Sequence, residues 1–322
     1  MSLPLVPLNL NDRQKFDLAL NATRSISESP LAMLAWAPHL IWSHQFTYSW
    51  TRVEGWWCLF AEYPDGVYMP LPPLGPFNHE QPAPDPAGSY ERVLQIVFEG
   101  MASMNGRRTV TRIENIPEEL KPLFESCGYS VREKDADYLY RTQDLIGLKG
   151  DRYKSQRAAC NQFMRLASSF QGGYQPSDQE ACLALFDKWA DQKRGVIPES
   201  GEGQDAWLSR AMLDQTRQAH LAAMMHEQEL GLEGRVIRVD GEICGYTFGY
   251  ERNPQVWCVL LEVTDRTIPG LAQYLFREYC RVHADYEFIN TMDDSGLKRL
   301  AQSKMAYHPI RMVKNFIATV GE

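Results

Sequence analysis

Residues 287–318, "EFINTMDDSGLKRLAQSKMAYHPIRMVKNFIA", repeat the order of elements found in residues 109–140, "TVTRIENIPEELKPLFESCGYSVREKDADYLY". Each stretch predicts a strand, an acidic loop, a short helix, a turn at a tyrosine and a closing strand. Leu120 and Tyr129 in the earlier stretch correspond to Leu297 and Tyr307 in the later one. A pattern that recurs in this way indicates a diverged internal duplication.

The segments that precede these two stretches also run in parallel. "GWWCLFAEYPDGVYMP" (55–70) and "GRVIRVDGEICGYTFGY" (234–250) predict hairpins, and an amphipathic helix follows in each half, the second opening on Pro269. Between the halves, residues 149–228 predict a mostly helical connector. The expected fold is therefore α+β with two domains, residues 1–148 and residues 149–322, the second including the connector.

Composition narrows the class of protein. The 322 residues are 44% hydrophobic with a net charge of −8, which is typical of a globular chain and argues against nucleic-acid binding through the whole surface. We find no apolar run of membrane-spanning length and no signal peptide, so we expect a cytoplasmic protein. The seven scattered cysteines indicate neither a disulfide framework nor a metal site. Nucleotide-binding glycine motifs and a nucleophile elbow are also absent.

A basic stretch stands out against this acidic background. In "LIGLKGDRYKSQRAACNQFMR" (145–165), a helix would place Lys154, Arg157 and Asn161 on one face. The start of that helix offers free backbone N–H groups, which together with the cations would attract a phosphate. The alternative is a solvated face that pairs with nearby aspartates. The candidate anion-binding residues are Lys149, Arg152, Lys154, Arg157 and Asn161.

The late stretch carries the candidate catalytic residues. Asp293 and Asp294 follow a strand and could bind a substrate ammonium or transfer a proton, although helix capping by Asp294 and Ser295 is the alternative interpretation. Lys304 and Tyr307 are candidates for contacts to an oxyanion or a terminal ribose. Glu262, near the end of the preceding strand, is a second candidate base.

Together, "DADYLYRTQDLIGLKGDRYKSQRAACNQF" (135–163) and "FINTMDDSGLKRLAQSKMAYHPIRMVKNF" (288–316) resemble the family named after the C-terminal domain of phosphatidylglycerol lysyltransferase. The similarity extends over residues 30–318. The matching positions are Asp137, Tyr138, Tyr140, Leu148, Lys149, Gly150, Arg157, Asn161, Phe163, Asn290, Asp294, Gly296, Leu300, Lys304, Tyr307, Pro309 and Lys314. Met292 replaces a glutamate of the family pattern, and Ala158, Ala159 and Cys160 replace an asparagine-rich segment.

This resemblance implies two tandem GNAT-like acyltransferase domains, each a mixed twisted sheet flanked by helices. It further implies transfer of an aminoacyl group from a charged tRNA to an amine or hydroxyl. The basic helix would then hold tRNA phosphates, with Asn290 in the substrate site. A small molecule, a peptide or a lipid headgroup could be the acceptor.

Two other functions remain open. Acetyl-CoA is a less favoured donor, because the loop "TDRTIPGLAQ" (264–273) has a single glycine, Gly270, and Pro269 removes one backbone donor. No other cofactor is expected. A binding protein that has kept the fold and lost its chemistry is the second alternative, and Met292 is consistent with it.

Overall fold

A computed structural model describes residues 3–75, 86–106, 110–166, 169–194 and 204–321. The elements of the first part of the chain are β1 (Val6–Pro7), α1 (Arg13–Ala22), α2 (Arg24–Ser27), α3 (Ala37–Leu40), β2 (Thr47–Val53), β3 (Trp56–Tyr63), β4 (Gly66–Tyr68), α4 (Pro86–Asn105), β5 (Arg112–Pro117), α5 (Lys121–Ser126) and β6 (Tyr129–Arg141). The mixed helix and strand content agrees with the predicted fold class.

The second part of the chain follows with a larger share of helix. Its elements are α6 (Thr142–Gly147), α7 (Lys154–Leu166), β7 (Ser169–Gly173), α8 (Gln179–Arg194), α9 (Gln204–Met225), α10 (Glu227–Leu230), β8 (Glu233–Val239), β9 (Glu242–Asn253), β10 (Val256–Thr264), α11 (Leu271–Val282), β11 (Phe288–Asn290), α12 (Lys298–Met305) and β12 (Arg311–Val320). Strand β7 was not predicted, because its short sequence "SFQGG" has neither alternation nor an apolar run.

The chain forms two compact units, one of Met1–Ala136 with Val313–Glu322 and one of Asp137–Met312. Their bounds differ from the predicted division at residues 148 and 149, because each half lends its closing strand to the other unit. In the first unit β12 pairs with β5, and in the second unit the end of β6 pairs with β11. The division into domains 1–148 and 149–322 that was drawn from the sequence stays a prediction.

The first unit is built around an antiparallel sheet in the order β1-β2-β3-β4. Its core is aromatic: the ring of Phe16 lies 5.3 Å from that of Trp36 and 5.4 Å from that of Trp57. All three side chains are buried. The hairpin predicted in "GWWCLFAEYPDGVYMP" (55–70) is formed by β3 and β4, which Pro64 and Asp65 connect.

The second unit contains a sheet in which β7, β8, β9 and β10 are successive antiparallel neighbours. On the other side, β10 is parallel to β11, but only over residues 256–258 paired with 288–290. Strand β11 then ends at Asn290, whereas β10 continues to Thr264 with β9 as its partner. Residues 259–264 therefore lie beside a split in the sheet.

Helix α11 begins at Leu271, two residues later than predicted, and packs closely against α7. Its N-cap is Gly270, whose φ of 80° is left-handed. A Cβ atom at this position would lie only 2.0 Å from the carbonyl oxygen of Ala159. Glycine is therefore required here by both the backbone conformation and the close approach of α7.

Replacing Gly270 should destabilise the second unit. We expect Gly270→Ala to lower the free energy of unfolding by about 2–4 kcal/mol, since left-handed strain adds to the steric overlap with α7. Gly241→Ala is the matched control, because Gly241 has a φ of 90° and open space around the Cβ position. Its cost should be about 1 kcal/mol. Urea unfolding of both variants measures the difference, and equal costs would contradict the packing argument.

Candidate active site

The split between β10 and β11 contains a buried carboxyl group. Glu262 lies on the part of β10 that has no contact with β11, and its Oε2 atom is buried without a hydrogen-bond partner among the described residues. Desolvation raises the pKa of Glu262 from 4.5 to about 8. A carboxylate with so high a pKa is an unusually strong base for its type, which is typical of proton-transfer groups.

A hydroxyl group lies beside this carboxyl. Thr247 on β9 is the register partner of Glu262, so the two side chains point to the same face of the sheet. The Oγ1 atom of Thr247 is also buried and lacks a hydrogen-bond partner in the described structure. Two adjacent unpaired polar groups cost stability, and such groups are often kept to bind a ligand.

Tyr307 supplies a third polar group to the split. Burial raises the pKa of Tyr307, and the charge of Glu262 is the next cause. Tyr307 also packs against the apolar cluster that contains Val259 of β10. The Tyr307 ring packs 5.0 Å from that of Phe276 on α11. Because its pKa is raised, the phenol stays protonated and can donate a hydrogen bond at neutral pH. We define Glu262, Thr247 and Tyr307 as the split cluster.

The ammonium of Lys304 clamps the loop that follows β11. It donates to the carbonyl oxygen of Thr291 at 2.5 Å, to that of Met292 at 3.3 Å and to that of Asp293. Desolvation lowers the pKa of Lys304 to about 8, opposed by the nearby charges of Asp293, Asp137 and Asp294. With its donors directed at backbone carbonyls, Lys304 holds the loop in place.

The acidic loop is tied to itself and to β6. Asp293 accepts a hydrogen bond from the backbone of Ser295 at 2.9 Å. Asp294 accepts from Gly296 N at 2.9 Å and from the Tyr138 hydroxyl at 2.5 Å. The N-cap of α12 is Leu297, so Asp294 stabilises the loop and does not cap the helix as the alternative interpretation expected.

Asn290 is buried beneath this loop. Its amide nitrogen donates to Asp137 at 2.9 Å, and its oxygen accepts from Met292 N at 2.6 Å. The second bond holds Met292 at a φ of 61°, a conformation in which non-glycine residues are uncommon. Asn290 thus shapes the turn at the end of β11.

The first turns of the basic stretch pack against the tyrosine turn after α12. Tyr153 donates to the carbonyl oxygen of Tyr307 at 3.1 Å, and Gln156 donates to that of Ala306 at 2.7 Å. The ring of His308 lies 5.4 Å from that of Tyr153. The structure therefore brings the matched stretches 135–163 and 288–316 together. The contacts are made by residues that the charge pattern did not indicate.

Two arginines of the basic stretch, Arg152 and Arg157, have protein partners. The guanidinium of Arg157 donates to the carbonyl oxygens of Leu148 and Gly150, the latter at 2.6 Å. Arg152 pairs with Asp144 at 3.1 Å, as the solvated-face alternative expected. The remaining predicted members, Lys149, Lys154 and Asn161, are exposed. Phosphate binding by this set stays a prediction.

Several residues of the site were missed from sequence. Thr247 gave no signal because its role depends on its register opposite Glu262. Tyr138 and Asp137 lie in the matched "DADYLY" segment (135–140), which was the available hint. No group of three or more His, Cys, Asp or Glu side chains in the described ranges is placed to hold a metal ion.

Comparison with known proteins agrees with the fold and with these motifs. The family described as "Phosphatidylglycerol lysyltransferase, C-terminal" matches residues 39–319, most of the chain. The protein belongs to this family. No curated protein matches the sequence significantly.

Solved structures share the fold of this lysyltransferase-family protein. A conserved protein of unknown function from Bacteroides thetaiotaomicron has a TM-score of 0.80 and 20% identity, with 98% of this chain and 99% of that chain covered. The C-terminal domain of a putative lysylphosphatidylglycerol synthetase from Agrobacterium fabrum has a TM-score of 0.60 and 12% identity, covering 96% and 92%. A tandem GNAT protein from the clavulanic acid biosynthesis pathway has a TM-score of 0.50 and 15% identity, covering 100% and 99%.

The family and these neighbours establish a GNAT-like tandem acyltransferase fold. The family and fold support an acyltransferase class for this protein. Within the residues that the structure describes, no helix is long and apolar enough to cross a membrane.

The raised pKa of Glu262 predicts a pH-dependent stability. Because its folded pKa of about 8 exceeds the ordinary 4.5, the folded state binds more protons, and stability is lost as pH rises from about 4.5 to about 8. Glu262→Gln should flatten this decline and be more stable than the parent at pH about 8, by on the order of a few kcal/mol. Urea unfolding at several pH values tests this. Glu242→Gln, at an exposed position, should behave like the parent.

The contacts of Arg157 predict a structural role. Arg157→Ala should lower the free energy of unfolding by about 2 kcal/mol, because two carbonyl oxygens lose a charged donor. Lys154→Ala, an exposed change on the same helix, should alter it by less than about 0.5 kcal/mol. Thermal and urea unfolding compare the two, and an unchanged midpoint for Arg157→Ala would contradict the role.

Proposed function

We propose that this protein transfers an aminoacyl group from a charged tRNA to an amine or hydroxyl acceptor, with Glu262 as the base. The observation that carries the proposal is the buried, unpaired carboxyl of Glu262 in the split between β10 and β11. The acyltransferase fold supplies the reaction class.

The reaction needs one proton acceptor and one oxyanion donor. The acceptor's nitrogen or oxygen attacks the ester carbonyl carbon while Glu262 takes its proton. The bond to the terminal ribose oxygen then breaks, and Glu262 returns the proton to that leaving oxygen. The protonated Tyr307 hydroxyl is the candidate donor to the oxyanion, and Thr247 the candidate contact for the acceptor.

Roles for the other predicted residues follow from their contacts. Lys304 and Asn290 act through the loop that they hold, so we propose them as positioning residues. Asp293 and Asp294 carry half-buried carboxylates, and binding of an acceptor ammonium is the role we retain for them. A proton-transfer role falls to Glu262, whose carboxyl has no competing partner.

The start of α11 supports a donor other than acetyl-CoA. In a GNAT-like domain, a pyrophosphate would bind the free N–H groups at this helix start. Here the Ala159 carbonyl oxygen of α7 lies against Gly270, where its partial negative charge would repel a phosphate. The amide of Thr267 in the same loop already donates to Asp265 at 2.9 Å. A lipid acceptor is supported by the family's description, which names phosphatidylglycerol.

Transfer assays test the proposal. Bulk tRNA charged with labelled amino acids is incubated with the parent protein and either phosphatidylglycerol vesicles or a small amine, and label is measured in each acceptor. Glu262→Gln should reduce the transfer rate about 10²–10⁴-fold while donor binding stays unchanged. In the parent, the rate should rise with pH until Glu262 is deprotonated, above about 8.

Controls separate the alternatives. Glu242→Gln should transfer like the parent, because its side chain is exposed at the start of β9, five residues before Thr247, and is not part of the split cluster. Full activity in Glu262→Gln would refute its role as the base. Transfer from acetyl-CoA but not from charged tRNA would identify acetyl-CoA as the donor. Ligand binding without turnover from either donor would identify a binding protein.

A further inference from the structure

Three cations from separate elements of the second unit form a group that we call the basic rim: Lys193, Arg266 and Arg299. Lys193 lies in the last turn of α8, Arg266 follows the end of β10, and Arg299 lies in the first turn of α12. All three side chains are exposed.

Topology places two of these residues at the mouth of the split. Strands β10 and β11 are parallel, so their carboxyl ends point to the same edge of the sheet. Arg266 lies in the loop after β10, and Arg299 lies in the segment after β11. This is the edge toward which the split opens, and in open sheets with parallel strands ligands bind at such an edge.

An ion pair brings α8 to the same place. Lys188 on α8 contacts Asp265 at 2.6 Å, and Asp265 immediately precedes Arg266. Lys193 lies five residues further along the helix from Lys188, a distance of about 7–8 Å along its axis. After desolvation, the positive charges of Arg266 and Arg299 are the causes that lower the pKa of Lys193.

The three residues of the rim all carry positive charge. Among the described residues, no carboxylate contributes to the shifted pKa of Lys193, whereas both arginines oppose its protonation. Like charges at such proximity destabilise a protein unless an anion is bound. By contrast, Arg152 and Arg157 in the basic stretch contact Asp144 and backbone carbonyls.

We propose that the basic rim binds the phosphodiester backbone of the RNA that carries the acyl group into the split. The inference rests on the proposed function, since it places that donor at the edge where Glu262 lies. RNA is favoured over a membrane surface by α12, where Gln302 and Ser303 share the outer face with Arg299 and are exposed. That face has no large apolar side chain to insert into a bilayer, because the exposed Leu300 and Met305 of α12 lie about 100° and 120° around the helix from Arg299.

Charge reversal at the rim tests this binding. Uncharged bulk tRNA is titrated into the full-length parent, Arg266→Glu and Arg299→Glu across a salt series. Each variant should weaken binding about tenfold at low salt and reduce the slope of log K against log salt by about one. Arg132→Glu is the matched control, because it makes the same charge change at an exposed site in the first unit and should bind like the parent.

Parallel measurements separate this inference from the proposed function. Glu262→Gln should bind tRNA with the parent's affinity and slope. Normal aminoacyl transfer with unchanged slopes in both rim variants would overturn the rim while leaving the transferase intact. Reduced slopes in the two rim variants, together with no aminoacyl transfer by the parent, would support the rim and refute the transferase. Absence of tRNA binding by the parent would overturn the rim. So would rim variants that bind tRNA like the parent and lose binding only to phosphatidylglycerol vesicles or coenzyme A.

Discussion

The ammonium of Lys304 is the interaction on which the geometry of the candidate site depends. A cation removed from water is costly unless polar partners replace its hydration. Here the carbonyl oxygens of Thr291, Met292 and Asp293 provide that replacement. Since Lys304 lies on α12 and the carbonyls follow β11, the contact fixes the helix to the end of the strand. The turn that carries Tyr307 into the split begins directly after that helix.

The split contains polar groups that the proposed reaction needs and that lower the stability of the fold. A carboxyl and a hydroxyl lie unpaired on adjacent strands, which lowers stability because neither group recovers the hydrogen bonds it makes in water. The surrounding structure offsets the cost with an apolar cluster that includes Phe276, Tyr279 and Cys280. That apolar environment is also what raises the pKa of Glu262.

Helix α7 has a structural role, whereas its positive charge predicted phosphate binding. Its first turn packs on the tyrosine turn through Gln156, and its middle approaches α11 so closely that only glycine fits at Gly270. Arg157 bridges the carbonyls of Leu148 and Gly150 just before the helix. The helix thus shapes the second unit mainly through backbone contacts, while the positive charges of Arg266 and Arg299 lower the pKa of Lys193.

The sequence by itself determined the order of elements, the hairpins, the family motifs and the candidate residues Glu262, Lys304 and Tyr307, because local periodicity and turn chemistry are properties of neighbouring residues. Only the tertiary structure decided that β6 and β12 are exchanged between the units, that Thr247 lies opposite Glu262, and that three distant cations gather at one edge. These features depend on strand register and on long-range packing. No local pattern encodes such contacts, since they form between residues that are separated by tens to hundreds of positions in the chain.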